Sequence, residues 1–199
     1  MDNAQRRLLW IVLVLNGVMF FVEFIAGWLA ESSGLIADSL DMLADTMVYA
    51  ISLYAVGKAI TYKANAAIVN GSLQLVLALL VLADVAQRLL FGSTPQADTM
   101  LVIAGLALAV NIACFVLLYS HRNGDINIRA SWICSRNDML MNSGVIISAL
   151  LVSQLDKAWP DLLIATLIAV VVLQSALRII RDAKAVKTGE KTDISSCCG

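Results

Sequence analysis

Apolar residues fall along this chain in runs of about 17–25, the length that crosses roughly 30 Å of hydrocarbon as an α-helix. Six runs are present: Leu8–Ala30, Leu35–Ala59, Ala66–Phe91, Met100–Tyr119, a segment that begins polar near Ile128 and becomes apolar from Met139 to Leu155, and Leu162–Ile180. The connections between them are short. Gly92-Ser93-Thr94-Pro95 stops the third run, and Trp159-Pro160-Asp161 starts the sixth. The first run is far longer than the apolar stretch of a cleaved signal peptide and reads as a retained span. The pattern predicts an all-α integral membrane protein with six transmembrane helices over residues 1–183, followed by a short polar tail over 184–199.

Composition supports lipid as the solvent. Of 199 residues, 60% are hydrophobic and 15% charged, against roughly 45–50% and about 25% in a soluble domain. With a mean hydropathy of +0.82, the chain has more apolar surface than a water-surrounded core of this size can bury. If the N-terminus is cytoplasmic, twelve of the 14 Lys and Arg lie in cytoplasmic connections, and only Arg88 and Lys157 lie outside. That asymmetry predicts an even number of spans with both termini cytoplasmic. A net charge of −1 gives no electrostatic footprint for nucleic acid. Four cysteines and two prolines exclude a disulfide scaffold and a collagen-like chain.

Acids inside the spans carry the chemistry, because each costs roughly 2.5–3.5 kcal/mol at mid-bilayer. The second run holds Asp38, Asp41 and Asp45, and the first holds Glu23. Asp41 and Asp45 are one helical turn apart and share a face. Cys134 and Asp138 repeat that spacing in the fifth run. Two facing helices would present three carboxylates and one thiol, enough ligands for a four-coordinate divalent metal. Structural readings stand beside this one: carboxyl groups protonated and bonded between helices, and Cys134 as a small buried apolar residue. Asp38 fits better as an acid at the helix N-terminus than as a ligand. Asn142, one turn beyond Asp138, either lends its amide oxygen to the metal or bonds another helix. Glu23 either joins the site or, the preferred reading, pairs structurally with Asn16. Asp84 and Arg88 read as an ion pair near a helix end, and Cys114 as packing.

The stretch from Asn16 to Asp45 resembles the first two transmembrane segments of the cation diffusion facilitator family of metal transporters, through Asn16, Glu23, Gly27, the Ser33-Gly34-Leu35 turn and the acids ending at Asp45. Ala130 to Leu150 is similar to the fifth segment of that family. The resemblance implies a transport site on Asp41, Asp45, Cys134 and Asp138, with Asp38, Asn142 and Glu23 as secondary candidates. Zinc-transporting members commonly have histidine where this chain has Asp41 and Cys134, so their metal preference does not carry over unchanged. The family generally appends a cytoplasmic domain that helps dimerisation, and the tail here is too short for one. A homodimer would therefore form through transmembrane helices, where Gly71 and Ser72 offer either a close helix contact or ordinary packing.

The function this implies is efflux of a divalent transition-metal cation from the cytoplasm, in exchange for protons, by alternating access in a cell membrane. In a Gram-negative bacterium that is the inner membrane. No enzymatic step and no resident cofactor are expected. Carboxylate and thiol ligands must lose protons to bind metal, so the two compete, and three neighbouring carboxylates titrate as one coupled set. The thiolate of Cys134 shifts preference toward zinc, with cadmium or cobalt as alternatives. Cys197 and Cys198 in the tail make an incomplete ligand set. Two other readings compete. An intramembrane aspartyl protease needs Gly-x-Gly-Asp surroundings, whereas Asp138 follows Ser135-Arg136-Asn137. A non-transporting membrane partner protein would use its acids only structurally.

Overall fold

The structure is a computed structural model that describes residues 3–54, 60–119 and 126–189, with side chains described for 6–51, 53, 61–62, 64–119 and 137–189. Its elements are α1 (Asn3–Leu29), α2 (Ser33–Tyr54), α3 (Ile60–Phe91), α4 (Ala97–Tyr119), α5 (Ile126–Leu155) and α6 (Trp159–Thr188), with no strand among the described residues. Each expected span has its helix. The protein is an all-α membrane bundle.

Five of the described helices are long and apolar enough to cross a membrane, and α2 is the exception. Its 22 residues carry Asp38, Asp41 and Asp45. Packing explains how such a helix is tolerated: α2 lies against α1, α3, α5 and α6, so protein rather than lipid surrounds it. The outer helices bear the lipid-facing surface, with Trp28, Leu29, Leu90 and Phe91 among their exposed side chains. The main core joins α2 to α6 through Leu35, Ala37, Leu40, Ala165 and Ile168.

Closest packing is between α1 and α2, α3 and α6, and α4 and α5. Two glycines permit it. A Cβ on Gly27 would stand 2.9 Å from the backbone nitrogen of Ile36, and one on Gly71 would stand 2.8 Å from Ile180 Cγ1. Gly71 thus serves the α3–α6 contact within one chain. The sixth helix also continues past Ile180, through residues expected to be polar tail. Ala183 and Val186 pack with Ile179 against Ala64 and Ala67 of α3, which keeps this stretch helical until Gly189 caps it in the left-handed conformation, φ 79°.

Three turns gather at one end of the bundle, here the loop end, opposite the start of α1 and the end of α6, which mark the terminus end. Glu31 takes φ 51° in the first turn, where its side-chain oxygen accepts from the Thr94 backbone N–H at 3.1 Å. The N-terminus of α2 is fully satisfied there. Asp161 of α6 accepts from the backbone N–H groups of Ser33 at 2.8 Å and Gly34 at 3.0 Å, while Ser32 Oγ accepts from Leu35 N–H at 3.1 Å. The expectation that Asp38 serves as the N-terminal acid of this helix is corrected: it lies beyond the first turn, which contains no acid of its own, and Asp161 supplies the negative charge from a different helix.

Candidate metal site

The i, i+4 spacing places Asp41 and Asp45 on one face of α2, and α5 turns Asp138 toward the same space. These three carboxyl groups line a cavity of about 210 Å³ that also meets Gln74 of α3 and Gln174 and Arg178 of α6. Asp45 is 2% exposed and Asp138 3%, while Asp41 is half-buried. Asp138 lies within hydrogen-bonding reach of both Asp41 and Asp45. Carboxyl groups this close in an apolar bundle cannot all remain bare anions: a proton or another cation must stand between them.

Their remaining contacts show what holds the group and what it leaves free. Tyr49, one turn past Asp45, donates its hydroxyl hydrogen to Asp45 Oδ2 at 2.5 Å. Asn142 donates from Nδ2 to the backbone oxygen of Asp138 at 2.9 Å, fixing that turn of α5. Asp138 Oδ2 and Asn142 Oδ1 are buried without a partner. Among the described residues, no three His, Cys, Asp or Glu side chains close around a point as a finished metal shell. The arrangement is an acid-lined cavity rather than a rigid cage. Position 134 lies on α5 one turn before Asp138, but the Cys134 side chain is outside the described residues, as are Cys197 and Cys198.

The secondary candidates divide. Asp38 is 1% exposed and Glu23 fully buried, and neither lines the cavity; all four of their carboxyl oxygens lack a hydrogen-bond partner. The preferred pairing of Glu23 with Asn16 is not formed, because Asn16 Nδ2 turns back to the Val12 carbonyl at 2.9 Å. Cys114 packs as expected, fully buried beside Tyr49 and Leu118. Asp84 and Arg88 form the expected ion pair at 2.8 Å. Sequence reasoning missed Tyr49, Gln74, Gln174 and Asp161. Tyr49 had a signal, its i+4 spacing from Asp45. Asp161 reads locally only as part of the start of α6, and nothing local marked Gln74 or Gln174, which come from separate helices.

Comparison with known proteins extends the likeness across the bundle. Residues 9–186 match the family model of the cation efflux transmembrane domain. The cadmium, cobalt and zinc/H(+)-K(+) antiporter of Bacillus subtilis (strain 168) is 26% identical to this chain, over 98% of it and 68% of the relative. Zinc transporter ZitB of Escherichia coli (strain K12) is 30% identical over 92% of the chain and 62% of its own length. The metal cation efflux system protein CzcD of Cupriavidus metallidurans is 31% identical over 86% and 58%. The chain therefore spans 58–68% of the length of these relatives. Each is named for metal transport or efflux, and none for proteolysis. With a domain match along nearly the whole bundle and three acids gathered at its centre, this chain belongs to the cation efflux family.

Proposed function

We propose that the chain carries a divalent transition-metal ion across a cell membrane, out of the cytoplasm and in exchange for protons, with zinc as the first candidate and cadmium or cobalt next. The observation that carries this reading is the meeting of Asp41, Asp45 and Asp138 on one cavity inside an apolar bundle. Ligands on two helices suit a cargo that must be released: a shift of α2 against α5 would separate the donors. The cavity has room for an ion that keeps part of its water shell. Cys134, one turn from Asp138 on the same helix, is the proposed fourth ligand, and its sulfur favours zinc or cadmium over magnesium or calcium. Names of relatives that mention zinc, cadmium and cobalt support that class of cargo.

Protons enter because the same oxygens bind either species. Metal arriving at the carboxyl groups must displace protons, and protons arriving from the other side displace the metal. One divalent ion against two protons is electroneutral; any other ratio feels the membrane potential at about 2.3 kcal/mol per charge per 100 mV. We further propose a homodimer formed through membrane helices.

The test is zinc uptake into proteoliposomes under an imposed pH gradient. Uptake by the wild type, abolished in Asp45→Asn and in Asp138→Asn, is the expected result. Uptake that persists in both variants would refute the site, and no gradient-driven flux of zinc, cadmium or cobalt would refute the function.

A further inference from the structure

We propose that Asp161 is a positioning residue that clamps α2 to α6 and holds the loop end of the metal cavity shut, so that release of this clamp opens the cavity toward that end. The proposal rests on the transport reading for its purpose, but not for its geometry.

Asp161 is fully buried, and both its oxygens are engaged. Oδ1 accepts from Ser32 Oγ at 2.7 Å and from Gly34 N–H at 3.0 Å; Oδ2 accepts from Ser33 N–H at 2.8 Å. Two donors are the orphan N–H groups at the positive end of α2, where a carboxylate is held both by hydrogen bonds and by the helix dipole. A side chain on residue 34 would prevent the seating, since a Cβ there would stand 2.6 Å from Asp161 Oδ1. The contact therefore depends on a glycine on one helix and an acid on another.

A second set of bonds ties the same end of α2 to α3. Ser33 Oγ donates to Asp84 Oδ2 at 2.6 Å, and Arg88 Nε donates to that same oxygen at 2.8 Å. Beneath the clamp, on the way to the cavity, Leu35, Ala37 and Ala165 pack at 2% exposure or less. This apolar contact between α2 and α6 is the plug, and the clamp holds its two sides together. Gly34 and Asp41 are seven residues apart, about 10 Å along a rigid helix, so movement of the clamped end carries directly to the carboxylates. On α6 the cavity lining runs from Val171 to Arg178, from the middle of the helix toward its Thr188 end, and on α3 Gln74 lies near mid-helix. The clamp and the apolar contact beneath it lie between this lining and the loop end.

The test measures exposure of the plug. In the full chain in lipid nanodiscs, Ala37→Cys is labelled with a charged, water-soluble thiol reagent, and the rate is corrected for the same protein without that substitution. In the wild-type background Ala37→Cys should react slowly. Adding Asp161→Asn should raise the rate about tenfold. Gly34→Ala should do likewise, because it displaces the carboxylate while keeping its charge. Val12→Cys, fully buried in another core cluster, should be unchanged by either. Equal labelling of Ala37→Cys with and without the clamp variants would overturn the proposal. So would a parallel rise at Val12→Cys, which means general loosening. If Asp161→Asn does not fold, Gly34→Ala decides the matter alone. The assay uses no metal, so a failure of zinc uptake by the wild type counts against the transport reading and leaves the labelling result standing.

Discussion

Replacing Asp138 by Asn should move stability and metal binding in opposite directions. Asp138 sits within hydrogen-bonding reach of Asp41 and Asp45, at 3% exposure, with Oδ2 unpartnered. Two full charges about 4 Å apart repel by about 4 kcal/mol at an effective dielectric constant of about 20. Protons shared among the carboxyl groups already relieve part of this, so we expect a gain of about 1–2 kcal/mol when an amide removes one acid and donates to the other two. For a chain of this size that is a rise in thermal midpoint of a few degrees, at about 2–4 °C per kcal/mol. Metal reads the change the other way, since an anionic ligand becomes a neutral one. We expect a loss of about 100-fold in zinc affinity, about 2.7 kcal/mol. Thermal unfolding in detergent, with and without zinc, measures both effects. At a zinc concentration 100 times the wild-type Kd, the wild type gains about 2.7 kcal/mol and the variant about 0.4 kcal/mol. A variant that keeps the full zinc-induced shift would refute Asp138 as a ligand. A metal-free variant less stable than the wild type would show that its charge has a structural partner, and the site would then have to be redrawn.

Other substitutions test the neighbouring steps of the argument. Tyr49→Phe removes the donor to Asp45 Oδ2 and should weaken zinc binding about tenfold, measured by competition with a chelating dye. Zinc affinity should fall as pH falls, because carboxyl groups must release protons before binding metal, and the slope should be shallower in Asp138→Asn than in the wild type; titration at several pH values reads both. Gly27→Ala places a Cβ 2.9 Å from a backbone nitrogen that cannot rotate away and should destabilise by about 1–2 kcal/mol. Gly105→Ala meets nothing within 4 Å and should stabilise by up to about 1 kcal/mol through helix propensity, so the two thermal midpoints should move in opposite directions.

Local pattern in the chain determined the helices and the faces of α2 and α5. Apolar runs long enough to span a bilayer mark helices, and the 3.6-residue period puts Asp41, Asp45 and their Tyr49 neighbour on one stripe without reference to any other element. It also put Asp38 on nearly the same stripe, seven residues from Asp45. Only the tertiary structure decided that the cavity takes in Asp41, Asp45 and Asp138 and leaves Asp38 and Glu23 in closed packing nearer the loop end. The periodicity of one helix fixes direction around its axis, whereas the depth at which helices part depends on how six of them pack. The same limit hid Asp161, which reads locally as a helix-start acid of α6 and yet satisfies the N-terminus of α2. Hydrogen-bond donors left over at a helix end are certain from sequence, but the acceptor that meets them is chosen by whichever helix the fold brings alongside.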